Sequence, residues 1–203
     1  MKTRVVGISH TVGAGGDEIG RAAAERLGFR FVDEEIITEA AEKAGIEPGE
    51  LADTERRKGF LVRFVDSLGM SAGAGSIGYV PELGELGKSE DFRALIREAI
   101  QETAERGEVV IASHAASLAL AGRDDLLRVF VTASPETRVK RLAEGGAADA
   151  QKVVRDQDAA RADYLRRFHR IERELPTHYD MVINTDALSP EEAVGIIAQA
   201  AKA

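Results

Sequence analysis

The sequence predicts an α/β fold in three layers, with a five-stranded parallel sheet between two layers of helices. Four apolar runs rich in β-branched residues have the length of buried strands, and a shorter fifth run accompanies them. The five runs cover residues 5–9, 29–32, 109–112, 129–132 and 181–184. Helical patterns separate them at residues 17–27, 34–44, 92–106, 135–142, 148–174 and 190–200. Strands that alternate with helices build βαβ units, and therefore a parallel sheet.

Two of the helix starts carry a clear capping signal. Ser134 and Ser189 are each followed by proline and then glutamate, which is the pattern of an N-cap, a first helical residue and an acid in the first turn. We therefore expect helices to begin directly after both serines.

Composition sets the protein class. The chain has 203 residues, 44% of them hydrophobic and 31% charged, which is typical of one globular domain spanning residues 1–203. It has no cysteine, so disulfides, thiolate metal sites and thiol nucleophiles are excluded. The formal net charge of −8 argues against nucleic acid as a partner. We find no signal-peptide pattern and no run of roughly 18 apolar residues, so we expect no membrane association and a cytoplasmic location.

The N-terminus carries the pattern of a phosphate-binding site. A predicted strand is followed by a glycine-rich loop and then by a helix. This order directs backbone N–H groups and a helix N-terminus to one point, which suits an anion. We expect the loop to bind a nucleotide or another small phosphorylated ligand. The candidate residues are Gly13, Ala14, Gly15, Gly16, Asp17 and Glu18.

The loop lacks the charge of a Walker A motif, which places a lysine and then a hydroxyl residue after its last glycine. Here Gly16 stands at the lysine position and Asp17 at the hydroxyl position. Acids in a first helical turn interact favourably with the macrodipole by roughly 0.3–1 kcal/mol, which gives Asp17 and Glu18 a purely structural explanation. At an anion site the same carboxylates would compete with phosphate unless Mg²⁺ bridges them. For Asp17 both explanations stay open.

Two histidines follow predicted central strands. His10 and His114 stand where ligands bind in open α/β sheets. Together they would form a phosphate site that is cationic near or below pH ~6.5, or each would serve only as a hydrogen-bonding group. No third ligand is evident beside them, so we predict no metal site.

Several segments, in the right order along nearly the whole chain, resemble the cytidylate kinase-like family, a branch of the P-loop nucleoside monophosphate kinases. The matching segments are residues 13–20, 27–37, 92–111, 127–138, the motif Asp158-x-x-Arg161-x-x-Tyr164, and residues 179–186.

The resemblance implies a P-loop kinase-like fold with a helical lid. It places ATP in the loop 13–18 and a nucleoside monophosphate under residues 33–89, with 54–89 as the insertion that binds it. Residues 148–174 would form the lid, and Mg²⁺ would accompany ATP. Asp33 matches the family's acid near the substrate site, Arg161 matches a phosphate-facing arginine of the lid, and Arg155 is a weaker candidate. These three are the residues that we expect to be catalytic.

The chain departs from the family pattern where positive charge is needed. Family members often carry arginine at the positions of His10, His114 and Asp17, and lysine or arginine at the position of Ala159. A single phosphate-facing arginine can be worth roughly 10³ in the rate of phosphoryl transfer. The sequence therefore predicts a nucleoside monophosphate kinase of cytidylate type with a degenerate phosphate site. The alternative is a nucleotide-binding pseudokinase, catalytically weak or inactive, with a regulatory role.

A dinucleotide-binding Rossmann protein is a third interpretation. Gly13 and Gly15, followed about 20 residues later by Asp33, fit part of that fingerprint. Glu18 stands where glycine or alanine should complete it, and the lid motif has no place in that fold. We therefore regard this interpretation as the weakest.

Overall fold

The computed structural model of the protein describes residues 3–33, 90–113 and 116–203, with the side chains of residues 90–97 and 168 outside the description. The strands are β1 Val5–His10, β2 Arg30–Asp33, β3 Val109–Ser113, β4 Leu126–Thr132 and β5 Met181–Asn184. The helices are α1 Gly16–Leu27, α2 Glu90–Glu105, α3 Ala116–Ala119, α4 Pro135–Glu144, α5 Ala150–His169 and α6 Pro190–Ala200, with a 3₁₀ turn at Pro176–His178. Among these helices, none is long and apolar enough to cross a bilayer.

The five strands form one parallel sheet in the order β2-β3-β1-β4-β5. Strand β1 lies at the centre and every one of its residues is buried, as its apolar sequence predicts. Because all strands run the same way, their carboxyl ends meet at one edge of the sheet. This edge carries the end of β1 and the loop that follows it, which is where a ligand is expected in an open α/β sheet.

Helices cover both faces of the sheet, so the predicted three-layer α/β fold is confirmed. Val6 and Ile8 of β1 point into the main core, which they share with α1 and with Ile197 of α6. The other face of β1 meets α3 at Gly7, where the Ser117 hydroxyl donates a hydrogen bond of 2.7 Å to the Gly7 carbonyl. A Cβ at Gly7 would lie 3.2 Å from the Ser117 Cα, so a side chain there would require α3 to move away by a few tenths of an ångström.

Both predicted N-caps are confirmed. The Ser134 hydroxyl accepts a hydrogen bond from the Thr137 amide at 3.3 Å, and the Ser189 hydroxyl accepts one from the Glu192 amide, also at 3.3 Å. Proline follows each serine, so helices α4 and α6 begin where the sequence pattern places them.

The predicted helix over residues 148–174 is too long. Asp149 caps the start of α5 by accepting a hydrogen bond from the Lys152 amide at 3.0 Å. The helix ends at His169 because Arg170 adopts the left-handed conformation, with φ of 56°. Residues 171–175 then turn back toward the helix, which brings Glu174 against it. The predicted helix 34–44 and insertion 54–89 lie outside the described residues.

Candidate functional site

The loop after β1 has the backbone of an anion site. Gly13 and Gly15 have φ of 78° and 81°, in the left-handed region that favours glycine. The Ala14 amide donates a hydrogen bond of 3.1 Å to the Thr11 carbonyl, which closes a turn directly before α1. Gly15 is the N-cap and has no side chain to satisfy the first N–H groups of the helix. These N–H groups are therefore available to a phosphate.

His10 explains why position 16 is glycine. A Cβ built on Gly16 would lie 2.3 Å from the His10 Cγ and 2.4 Å from its Cβ, far inside contact distance. The imidazole packs against the first turn of α1, with its side chain only 10% exposed, and its Nε2 lies 3.1 Å from an Asp17 carboxylate oxygen. Any larger side chain at the usual lysine position is therefore incompatible with His10 in this place.

Arg161 lies next to the loop. Its guanidinium is buried, and Nη1 donates a hydrogen bond of 3.4 Å to the His10 carbonyl at the end of β1. Nε donates to the Glu174 carboxylate at 3.0 Å, and Nη2 donates to both Glu174 and the Tyr179 hydroxyl. Burial alone would lower the pKa of Arg161, but the hydrogen bonds and charge of Glu174, together with Tyr179, outweigh burial and raise it. The candidate phosphate-facing arginine is thus ion-paired to a carboxylate of the chain itself.

Aromatic rings support this ion pair. The Tyr179 ring stacks on Phe130, with centroids 4.9 Å apart, and the Arg161 guanidinium lies 5.0 Å from the Phe130 centroid. The Tyr179 hydroxyl also donates a hydrogen bond to Glu174. Burial, and then this hydrogen bond, raise the pKa of Tyr179 far above its usual value. Arg161, Glu174, Tyr179 and Phe130, called the lid cluster below, fix α5 to the sheet.

A second arginine beside the loop is paired in the same way. Arg138 of α4 is buried, and its two terminal nitrogens donate to the two Asp158 carboxylate oxygens at 2.8 and 2.7 Å. Its backbone packs against the loop, because a Cβ on Gly13 would lie 3.0 Å from the Arg138 carbonyl oxygen. Asp158, the first residue of the predicted lid motif, therefore ties α5 to α4.

A cavity of about 180 Å³ lies between the lid helix α5 and residues 171–174, and Thr11, which follows β1, borders it. Thr11 lines it from the loop side, and Asp158, Arg161 and Glu174 line it from the lid side. The predicted lid motif thus borders the same cavity as Thr11, which precedes the loop 13–18.

The other sequence-predicted residues have different surroundings. Asp33 is buried at the end of β2, with a carboxylate oxygen 3.4 Å from the Arg21 Nη2. Arg155 is on the surface of α5, where its side chain is 69% exposed and pairs with the adjacent Asp156. His114 lies outside the described residues. In the described ranges, no group of three His, Cys, Asp or Glu side chains is arranged to hold a metal ion.

Glu174 was not predicted from the sequence, and neither was the role of Arg138. Glu174 is 13 residues from Arg161, and the left-handed turn at Arg170 that brings the two together involves no glycine. Arg138 is the last residue of segment 127–138, which matches the family, and this match was the available sign that Arg138 lies near the site.

Sequence comparison finds a matching family and related proteins. A sequence model described as the Cytidylate kinase-like family matches residues 5–187. A cytidylate kinase from Sinorhizobium medicae (strain WSM419) is 30% identical over 178 residues, which cover 78% of this chain and 81% of that protein. A cytidylate kinase from Rhizobium meliloti (strain 1021) is 29% identical over 180 residues, covering 79% and 82%.

Solved structures share the fold. An uncharacterized protein from Eubacterium ventriosum ATCC 27560 superposes with a TM-score of 0.68 at 18% identity, covering 98% of each chain. Shikimate kinase from Bacteroides thetaiotaomicron gives 0.54 at 18% identity, covering 97% of each chain. The resemblance and the P-loop kinase-like fold predicted from the motifs are both confirmed, and the chain belongs to the cytidylate kinase-like family.

Proposed function

We propose that the protein binds a nucleoside triphosphate at the loop 13–18 and transfers its terminal phosphoryl group to a nucleoside monophosphate of cytidylate type. The observation that carries the proposal is the glycine loop at the carboxyl end of the central strand, followed directly by the N-terminus of α1. Family membership and the names of the two cytidylate kinase relatives support the choice of substrates.

In the proposed reaction, a phosphate oxygen of the monophosphate attacks the terminal phosphorus of the triphosphate, and the bond to the bridging oxygen breaks. Loop N–H groups hold the donor phosphates, and Arg161 neutralises charge on the transferred group. Asp33, at the end of β2, would lie near the acceptor. Asp17 suits Mg²⁺, because its carboxylate is 58% exposed beside the loop and Mg²⁺ in such sites takes one or two carboxylates plus phosphate oxygens. The ion would supply charge neutralisation between the phosphates.

Carboxylates of the chain already pair with two arginines beside this site, and a third carboxylate lies beside His10. Arg138 pairs with Asp158, Arg161 pairs with Glu174, and Asp17 lies beside His10. A phosphate has to compete with these carboxylates, so we expect transfer to be slow compared with a kinase whose arginines face the substrate. The same pairs favour the second candidate function, a nucleotide-binding pseudokinase.

The test is phosphoryl transfer from Mg·ATP to CMP, measured as ADP and CDP formation. Ala159→Arg adds a cation on the exposed surface of α5, where the family pattern often has one, and Ala160→Arg is a matched control on the adjacent exposed position. We expect Ala159→Arg to raise kcat at least tenfold and Ala160→Arg to change it less than twofold. ATP binding without transfer in any variant would favour the pseudokinase, and equal rates in both variants would refute the missing-charge explanation.

A further inference from the structure

The carbonyl side of the glycine loop is held by two side chains, Arg141 and Thr185. Thr185 donates a hydrogen bond of 3.0 Å from its hydroxyl to the Ala14 carbonyl. Arg141 donates from Nη1 to the Gly13 carbonyl at 3.4 Å and to the Thr185 hydroxyl oxygen at 2.8 Å. Its Nη2 donates to the Thr185 carbonyl, also at 2.8 Å. Two successive loop carbonyls are therefore bound from one side.

Thr185 is a rigid anchor. It follows β5 directly, it is 5% exposed, and its amide donates a hydrogen bond of 2.8 Å to the Thr132 carbonyl at the end of β4. The adjacent Asp186 accepts a hydrogen bond of 2.9 Å from the Ser134 amide at the start of α4, the helix that carries Arg141. The end of the sheet and the start of α4 thus hold both side chains in place.

Arg141 also orients the Thr185 hydroxyl. A threonine hydroxyl has one proton to donate, whereas an arginine has no acceptor. Because Arg141 donates to the hydroxyl oxygen, the hydroxyl proton has to point away from Arg141, toward a backbone carbonyl. The Ala14 carbonyl, at 3.0 Å, is nearer than the Thr132 carbonyl, at 3.3 Å. Arg141 therefore acts on the loop both directly and through Thr185.

Fixing the Ala14 carbonyl fixes the next N–H group. The described chain contains no cis peptide bond, and in a trans peptide the C=O and the N–H point in opposite directions. With its carbonyl held toward Thr185, the Ala14–Gly15 peptide directs the Gly15 N–H away from Thr185. We propose that Arg141 and Thr185 are positioning residues that orient this peptide so that the Gly15 N–H faces a bound phosphate. The phosphate itself rests on the proposed function, whereas the orientation of the peptide does not.

The experiment compares four variants. Thr185→Val removes the hydroxyl and keeps the shape, Thr185→Ser keeps the hydroxyl, and Arg141→Met keeps most of the apolar stem. Arg128→Met is the control, because Arg128 also donates hydrogen bonds from two of its nitrogens, here to the Asp180 carboxylate next to the opposite end of β5. Two quantities are measured. The first is hydrogen exchange of the Ala14 amide without ligand, because this amide closes the turn to the Thr11 carbonyl and lies between the two carbonyls that Arg141 and Thr185 bind. The second is the dissociation constant for Mg·ATP.

We expect Thr185→Val and Arg141→Met each to accelerate exchange of the Ala14 amide by about tenfold and to weaken Mg·ATP binding by about tenfold, as expected for losing a buried or charge-assisted hydrogen bond. Thr185→Ser and Arg128→Met should stay within about twofold of the wild type in both measurements. Wild-type values in Thr185→Ser would show that the hydroxyl itself, and not any substitution at position 185, is responsible.

Unchanged amide exchange in Thr185→Val would overturn the inference. Weaker ATP binding in Arg141→Met without faster exchange would also overturn it, because Arg141 would then contact the nucleotide directly. A wild-type protein that does not bind ATP would refute the proposed function, while the exchange measurement would still decide whether these side chains orient the loop.

Discussion

The substitution Glu174→Gln tests the lid cluster. Glutamine keeps the size of the side chain and can still accept hydrogen bonds, but it leaves the buried Arg161 cation without its counterion. The Arg161 and Glu174 side chains are only 7% and 22% exposed, so solvent screens the pair weakly.

Removing one partner of a buried ion pair typically costs about 3–5 kcal/mol. Because Glu174 retains some exposure, and because the Tyr179 hydroxyl and the His10 carbonyl still contact Arg161, we expect a loss near the lower limit, about 3 kcal/mol. In a domain of this size each kcal/mol lowers the midpoint by roughly 2–4 °C, so the Tm should fall by roughly 6–12 °C.

The assay is urea unfolding followed by circular dichroism, with calorimetry to give the Tm. Asp163→Asn is the control, because Asp163 lies on the same helix and pairs with Arg166 and Arg167, which are 55% and 64% exposed. Such exposed pairs contribute about 0–1 kcal/mol. If Glu174→Gln costs no more than Asp163→Asn, Glu174 does not hold Arg161 in solution and our description of the lid cluster is wrong.

Two further predictions concern packing and pH. Gly16→Ala should lower the free energy of unfolding by about 1–3 kcal/mol, because the new Cβ overlaps the His10 side chain. Adding His10→Ala in the same chain should restore most of this loss. If urea unfolding shows no such restoration, the contact between His10 and position 16 is wrong. Burial, and then the hydrogen bond to Glu174, raise the pKa of Tyr179, which means that the folded state favours the neutral phenol. The stability that this preference contributes is complete below the ordinary tyrosine value of 10.0 and is lost as pH rises above it. Wild-type stability should therefore decline more steeply above pH 10.0 than that of Tyr179→Phe, and parallel unfolding curves would refute the assignment.

The fold was predictable because its signals are local. The apolar run of β1 is long enough to indicate a strand buried on both faces, and Ser134 and Ser189 mark helix starts within a few residues of sequence. Glycines at positions 13 and 15 likewise indicated a loop between β1 and α1, and the structure has a loop there in which both glycines have positive φ.

The pairing of charges was not predictable in the same way. The sequence placed Arg161 in a lid motif, but its partner Glu174 depends on the chain reversing at Arg170, a non-glycine residue with a φ of 56°. The contact between His10 and Gly16 depends on how a side chain at a strand end meets a helix that starts six residues later. Such contacts follow from tertiary geometry, which periodicity and composition do not specify.

Thermal unfolding with Mg·ATP tests the central claim, that the glycine loop binds a nucleoside triphosphate although Arg138 and Arg161 beside it are already ion-paired. A ligand at 100 times its dissociation constant stabilises the folded state by about 2.7 kcal/mol, which corresponds to a rise in Tm of roughly 5–11 °C here. We predict such a rise with Mg·ATP at neutral pH. An unchanged Tm at millimolar Mg·ATP would contradict nucleotide binding at the loop.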